Sequence, residues 1–256
     1  MRTQPQYGFT LIEVAIVFVI IAALLSYVFM PLRAQLETAN INKARSKLAE
    51  IEESIYGFAI ANGRIPCPTI PGVSGIEDPL NTATDCNNYI GFVPSGTLGI
   101  KGEVNCDGLL TDPWGRPYMY SVTDSNISGN GDFVVPDGIR DAGGPASTAP
   151  NIKVCNDLNV NCTAGGGSAS TENAVAVIFS MGTRTRANST EEDENAGEGP
   201  NMPSTCGLPA YELGNDAQYY SAQRIEVAGQ EFDDIVIWIS PNILFSKLLQ
   251  AGYTLQ

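Results

Sequence analysis

One carboxylate stands where its surroundings should exclude it. Glu13 lies in a run from Phe9 to Leu32 that holds no other charge before Arg33. A charge at the centre of a bilayer costs on the order of 3 kcal/mol or more. An unpaired carboxylate in apolar surroundings is heavily penalised and a paired one much less so, so Glu13 calls for a partner. The residues before the run, Met1 to Gly8, are polar and carry one basic side chain, Arg2. A secretory signal has the opposite order, with its cleavage point after the apolar stretch. Here the polar segment comes first and ends in Gly8, directly before the apolar run.

The remaining chemistry is narrow. The chain has no histidine, which removes histidine triads, histidine-ligated zinc and imidazole general bases. Its six cysteines, Cys67, Cys86, Cys106, Cys155, Cys162 and Cys206, all follow the apolar run and form no C-x-x-C pair. An even count on an exported side favours disulfides over metal thiolates. Proximity favours Cys67–Cys86 and Cys155–Cys162, leaving Cys106–Cys206; buried free thiols are the alternative. With 14 basic and 28 acidic residues the net charge is −14, so no nucleic-acid partner is expected. Arg184 and Arg186 are too little for a cationic strip. Asp233-Asp234 has the form of a catalytic carboxylate pair but no evident partner group, and reads as strand-end polarity.

The run Gly8-Phe9-Thr10-Leu11-Ile12-Glu13-Val14 resembles the prepilin N-terminus shared by type IV pilins and type II secretion pseudopilins. The resemblance implies a leader, 1–8, cut between Gly8 and Phe9 by a prepilin peptidase and methyltransferase that then N-methylates Phe9. It gives Glu13 an assembly role, meeting the α-amine of a neighbouring subunit. Partners are then that enzyme, other pilin or pseudopilin subunits and the bacterial inner membrane, crossed once, with the head on the extracytoplasmic side before assembly into a pilus or pseudopilus.

The heptapeptide Asp112-Pro113-Trp114-Gly115-Arg116-Pro117-Tyr118 resembles the D-P-W-G-x-P-Y turn of type II secretion major pseudopilins. It is expected to be a packing turn that lays the indole against a sheet. Those pseudopilins hold calcium in an acidic loop. The nearest analogue here is the 124–144 stretch, with Asp124, Asn130, Asp132, Asp137 and Asp141. Asp124, Asn126, Ser128 and Gly129 begin a calcium-loop pattern, but Val135 occupies the position that needs a bidentate glutamate. A solvated turn is the default and calcium the alternative; no other cofactor is called for.

These residues need elements to place them. Phe9 to Leu32, about 24 residues or roughly 36 Å as helix, is long enough to span a hydrocarbon core. Pro31 is expected to kink it near the exit. Ile41, Ala44, Leu48, Ile51, Ile55, Phe58 and Asn62 then recur at spacings of three and four, one helical face, with Gly63 and Pro66 as the stop. A coiled coil of about three heptads is the alternative. Three strands are credible, Tyr118–Val122, Ala174–Ser180 and Ile235–Ile239. A short helix, 241–251, should follow, capped by Ser240-Pro241, closed by Gly252 and turning Ile243, Leu244, Leu248 and Leu249 inward. Connectors fill 67–112, 123–173 and 181–230. The 183–207 stretch, with Glu191-Glu192-Asp193-Glu194, reads as a mobile solvated loop.

The expected fold is α+β. A helix over about 10–62 (9–32 membrane and assembly half, 33–64 amphipathic half) lays its second half on a small antiparallel sheet within a disulfide-stapled head, 65–256. The function it implies is structural rather than enzymatic. A head of roughly 190 residues suggests a minor subunit, and Glu13 argues against the large tip pseudopilin of type II systems, which usually lacks that carboxylate. A membrane-anchored binding or adhesion protein, or a tethered enzyme, is the competing class.

Overall fold

A computed structural model of the chain describes residues 8, 10–79, 85–124, 133–141, 150–156, 169–183, 195–196, 201–213, 218–225 and 231–254, without the side chains of 26–33, 140 and 141. The chain divides into two compact units, 1–42 and 43–256. Helix α1 (Leu11–Asn62) supplies the first unit and enters the second. In the first unit its large apolar side chains from Leu11 to Leu25 are exposed. Pro31 lies within α1, and the helix is assigned without a break on either side of it. Among the described residues no helix is long and apolar enough to cross a membrane.

In the second unit α1 buries Ala44, Leu48, Ile51, Ile55, Tyr56 and Ala59, the stripe that 3.6-residue periodicity produces. The stripe ends on Tyr56 and Ala59. Phe58 is half-buried beneath the Arg64 guanidinium, 5.0 Å from its ring centroid, and Asn62 is exposed. Gly63 closes the helix at a φ of +66°, its N–H donating to the Ala59 carbonyl at 2.8 Å. A Cβ there would stand 2.2 Å from the Tyr253 hydroxyl, so a larger residue would have to displace that ring as well as adopt the left-handed conformation.

Strands β1 (Ile90–Phe92), β2 (Met119–Val122), β5 (Ala176–Ser180) and β9 (Ile235–Ile239) form an antiparallel sheet in the order β1-β2-β5-β9. Their register pairs Met119 with Phe179 and Ala176 with Ile239. Successive side chains alternate between faces. Tyr118, Tyr120, Val122, Ala176, Ile178 and Ile239 share one core with Leu48, Ile51 and Ile55 of α1. That core also takes Leu244, Phe245 and Leu248 of the C-terminal helix α4 (Pro241–Gln250). Met119, Val177, Phe179 and Val236 face a second core on the opposite side. This second core is closed by β3 (Ile152–Cys155), β4 (Ala169–Ala174) and β8 (Gln218–Tyr220), a three-stranded sheet in the order β4-β3-β8. The head is therefore three-layered.

The second sheet corrects the sequence reading, which treated its residues as connectors. The single strand expected over 174–180 is divided at Val175, whose N–H donates to Ile239 at 2.8 Å; β4 on one side joins the outer sheet and β5 the central one. The expected loop between 183 and 207 is not wholly solvated either. Asn195 and Ala196 are buried, and β6 (Asn201–Met202) pairs with β7 (Tyr211–Glu212). Helices α2 (Ser95–Leu98) and α3 (Gly138–Asp141) are single turns. In α4 the inward residues are Leu244, Phe245 and Leu248, while Ile243 and Leu249 are exposed. Ser240 accepts the Leu244 N–H through its backbone carbonyl, but its side chain makes no cap bond.

Ile51→Ala should cost about 2–5 kcal/mol, because the helix and sheet backbones around it cannot collapse onto the lost volume. Ile243→Ala should stay within about 0.5 kcal/mol. Urea unfolding of both variants checks this, and equal losses would place Ile243 inside after all.

Candidate functional site

The first candidate is the start of α1. Gly8 is exposed, and among the described residues nothing lies within 4 Å of where its Cβ would stand. Phe9 lies outside the described residues. Thr10 and Glu13 form a reciprocal pair. The Thr10 N–H and hydroxyl both donate to Glu13 Oε2 at 2.9 Å, and the Glu13 N–H donates to Thr10 Oγ1 at 3.3 Å. This is a capping box, which satisfies backbone donors that a helix start leaves without partners. Its Thr-x-x-Glu signature was present in the sequence and could have been read from it.

The head's polar groups are loop fasteners. In the Asp112–Tyr118 turn, Asp112 Oδ1 accepts from the Trp114 and Arg116 N–H groups, both at 2.9 Å, and Oδ2 accepts from Ser180 at 2.6 Å. Burial raises the Asp112 pKa against the pull of these donors. The Arg116 guanidinium donates to the carbonyls of Met181, Gly182 and Thr183. Trp114 is half-buried. The turn is thus pinned to the end of β5 by Asp112 and Arg116 rather than by the indole alone.

Arg64 and Glu77 form a buried two-pronged ion pair, with Nη1 to Oε2 at 2.8 Å and Nη2 to Oε1 at 2.7 Å. Glu77 also accepts from the Cys67 N–H at 3.1 Å. No sequence signal marks a pair thirteen residues apart. Asp233 Oδ2 accepts from the Thr183 N–H at 2.8 Å and from its hydroxyl, and Asp234 accepts from Asn195 at 2.8 Å. Asn195 in turn bonds both backbone groups of Tyr220. The two carboxylates are therefore buried structural groups directly before the start of β9.

Asp107 carries the densest arrangement. Its Oδ1 accepts from the Thr205 N–H at 2.7 Å and hydroxyl at 2.6 Å, and its Oδ2 from the Ser204 and Tyr211 hydroxyls, both at 2.7 Å. Burial pushes its pKa up, but the donors outweigh it and hold the carboxyl down to about 2. Above it a cavity of about 610 Å³ is lined by Arg116, Met119, Met181, Leu208 and Tyr211 among others.

Disulfides join Cys67 to Cys86 and Cys106 to Cys206. Cys155 is buried and disulfide-bonded, and Cys162 lies outside the described residues. Of the calcium candidates, Asp124 accepts from Asn151 and exposed Asp137 accepts from the Tyr253 hydroxyl at 3.4 Å. Asp141 ends α3 without a described side chain, and Asn130, Asp132 and the 191–194 acidic run lie outside the described residues. Among the described residues the one group of three ligand-type side chains close together is Cys106, Asp107 and Cys206, two of which are already joined in a disulfide.

Asp107 sets an acid limb. An aspartate lowered from 3.8 to about 2 on folding contributes stability that is present above 3.8 and lost as pH falls towards 2. Asp107→Asn should flatten that loss and cost about 1–3 kcal/mol at neutral pH. Melting measured from pH 5 to 2 checks both, and parallel curves for the two proteins would contradict the assignment.

The family described as the prokaryotic N-terminal methylation motif matches residues 4–29. The type II secretion system core protein G of Aeromonas hydrophila is 30% identical over 121 residues, 46% of this chain and 75% of that protein. The proteins of the same name from Klebsiella pneumoniae (31% over 116 residues, 45% of this chain and 74% of that protein) and Escherichia coli K12 (29% over 117 residues, 46% and 72%) match similarly. No solved structure gives a significant match. The motif at the helix start, the helix-on-sheet head and these relatives agree: the chain belongs to the type IV pilin and pseudopilin family.

Proposed function

We propose that this chain is a non-enzymatic structural subunit of a pseudopilus of the type II secretion kind. It is cut between Gly8 and Phe9 by a prepilin peptidase, held in the inner membrane by the start of α1, and then assembled with other subunits. The observation that carries the reading is the first unit of α1, which exposes Leu11, Ile12, Phe18, Val19 and Leu24 around a single carboxylate. Such a surface is stable only when lipid or neighbouring helices cover it. The named relatives supply the filament type, since they are core proteins of a secretion system.

A minor position fits the head best. The match to core protein G covers under half of this chain, so most of the head lies outside it. The second sheet and the loops fastened by Asp107, Asp112 and Asn195 suit a specialised surface. These buried carboxylates tie loops to strands, which favours a structural role over a catalytic one.

Glu13→Ala and Glu13→Leu test the assembly role. Both should leave leader cleavage intact and lower incorporation into filaments about tenfold or more, the effect of losing 1.4 kcal/mol or more of pairing. Cysteine cross-linking between subunits, alongside a cleavage assay, provides the readout. Normal incorporation of both variants would remove Glu13 from the mechanism.

A further inference from the structure

The two disulfides with both ends described differ in accessibility. Cys67 and Cys86 are buried, at 0% and 8% exposure, whereas Cys106 and Cys206 are both exposed. Cys106–Cys206 joins positions 100 apart in sequence, fastening the 105–109 loop to the arm 201–213 that carries β6 and β7. Met202 and Tyr211 are partly buried on the second core and Leu213 is fully within it, so the ends of the arm are anchored. Between them, Pro203, Thr205 and residues 206–210 are exposed. That tip is held by the disulfide and by Ser204 and Thr205 on Asp107, with Asn105 donating to the Tyr211 hydroxyl at 2.8 Å. The same tip, Leu208 to Ala210, forms one wall of the 610 Å³ cavity.

We infer that Cys106–Cys206 is a redox-sensitive latch: a dithiol reductant opens it in the folded chain and releases the 206–210 segment, whose Leu208 to Ala210 form part of the cavity wall. Accessibility governs disulfide exchange, because a thiolate must reach one sulfur in line with the bond. A thiolate of the reductant attacks one exposed sulfur, forms a mixed disulfide and expels the other sulfur, which takes a proton. The reductant's second thiol then displaces the chain's remaining sulfur. The chain gains two electrons and two protons as two thiols, and the reductant leaves as its own disulfide. The tip is the part that responds because no buried apolar side chain holds it between Met202 and Tyr211. The Asp107 bonds keep the two cysteines near each other, so an oxidant re-forms the same pair. This inference does not depend on the pseudopilus reading.

The test uses the full chain in detergent over a dithiothreitol series, with alkylation, peptide mass spectrometry and amide exchange. Cys106 and Cys206 should be alkylated at about tenfold lower reductant than Cys67 and Cys86. Exchange in 206–210 should rise about tenfold at the same dose, while that of 48–55 stays unchanged. The double variant Cys106→Ser, Cys206→Ser should show the raised tip exchange without reductant. Reduction of Cys67–Cys86 at the same dose, or opening of Cys106–Cys206 with unchanged tip exchange, overturns the latch. Because the dose series runs on the native chain, it decides the matter even if the double variant does not fold.

Discussion

A sheet with apolar residues on both faces must be covered twice, and the rest of the head follows from how that is done. One face takes the Ala44–Ala59 stripe of α1 and the inner side of α4; the other takes the β4-β3-β8 sheet. The second cover dictates the path of the chain. It leaves the central sheet after β2, builds β3 and β4, re-enters at β5 through the Val175 corner, leaves again for β6 to β8 and returns as β9. Burial on both sides also explains the text of the central strands. Ala176 to Ser180 is buried throughout, so it reads as a continuous run rather than an alternating one.

The parts legible in the sequence are those whose partners are close or whose period is long. Helix α1 was readable because three-and-four spacing persists over many turns, and β2, β5 and β9 because each is a dense apolar run. The outer sheet was not. β3 and β8 are short, pair in parallel and lie more than sixty residues apart, so neither periodicity nor a turn signal joins them. Composition misled for the same reason at 183–207, where polarity suggested full solvation but Asn195 is buried between Asp234 and Tyr220. In α4 the inward facing of Leu244 and Leu248 was read correctly, whereas Ile243 and Leu249 are exposed and Phe245 is buried instead. Pro241, Leu244, Phe245 and Leu248 fall at the three-and-four spacing of one helical face, so Phe245 completes the stripe that Leu244 and Leu248 begin.

The buried polar groups of the head share a physical role. Arg64 with Glu77, Asp107, Asp112 and Asn195 with Asp234 are buried, and each ties a loop to a strand or a helix end. A buried carboxylate is tolerated only when its oxygens are satisfied. Asp107 accepts four hydrogen bonds and Asp112 three, which accounts for acidic residues inside a head with few bases to pair them. Loops fastened in this way can be long and polar without being loose, and a subunit surface can then vary in sequence while its frame stays fixed.

The capping box at Thr10 and Glu13 bears on how the helix start would change partners on the proposed reading. While the leader is attached, the nitrogen of residue 9 is an amide and carries no charge, and among the described residues the carboxylate's partners are the neutral donors of Thr10. A cap of this kind is worth about 0.5–2 kcal/mol. Cleavage after Gly8 would create an α-amine at Phe9, and a charge-assisted bond to such a group is roughly twice as strong as a neutral one. In apolar surroundings the difference widens, because an uncompensated charge on either side is expensive. On that reading a neighbour's amine can displace the Thr10 donors only after processing, and cleavage is the step that would turn a helix cap into an assembly contact.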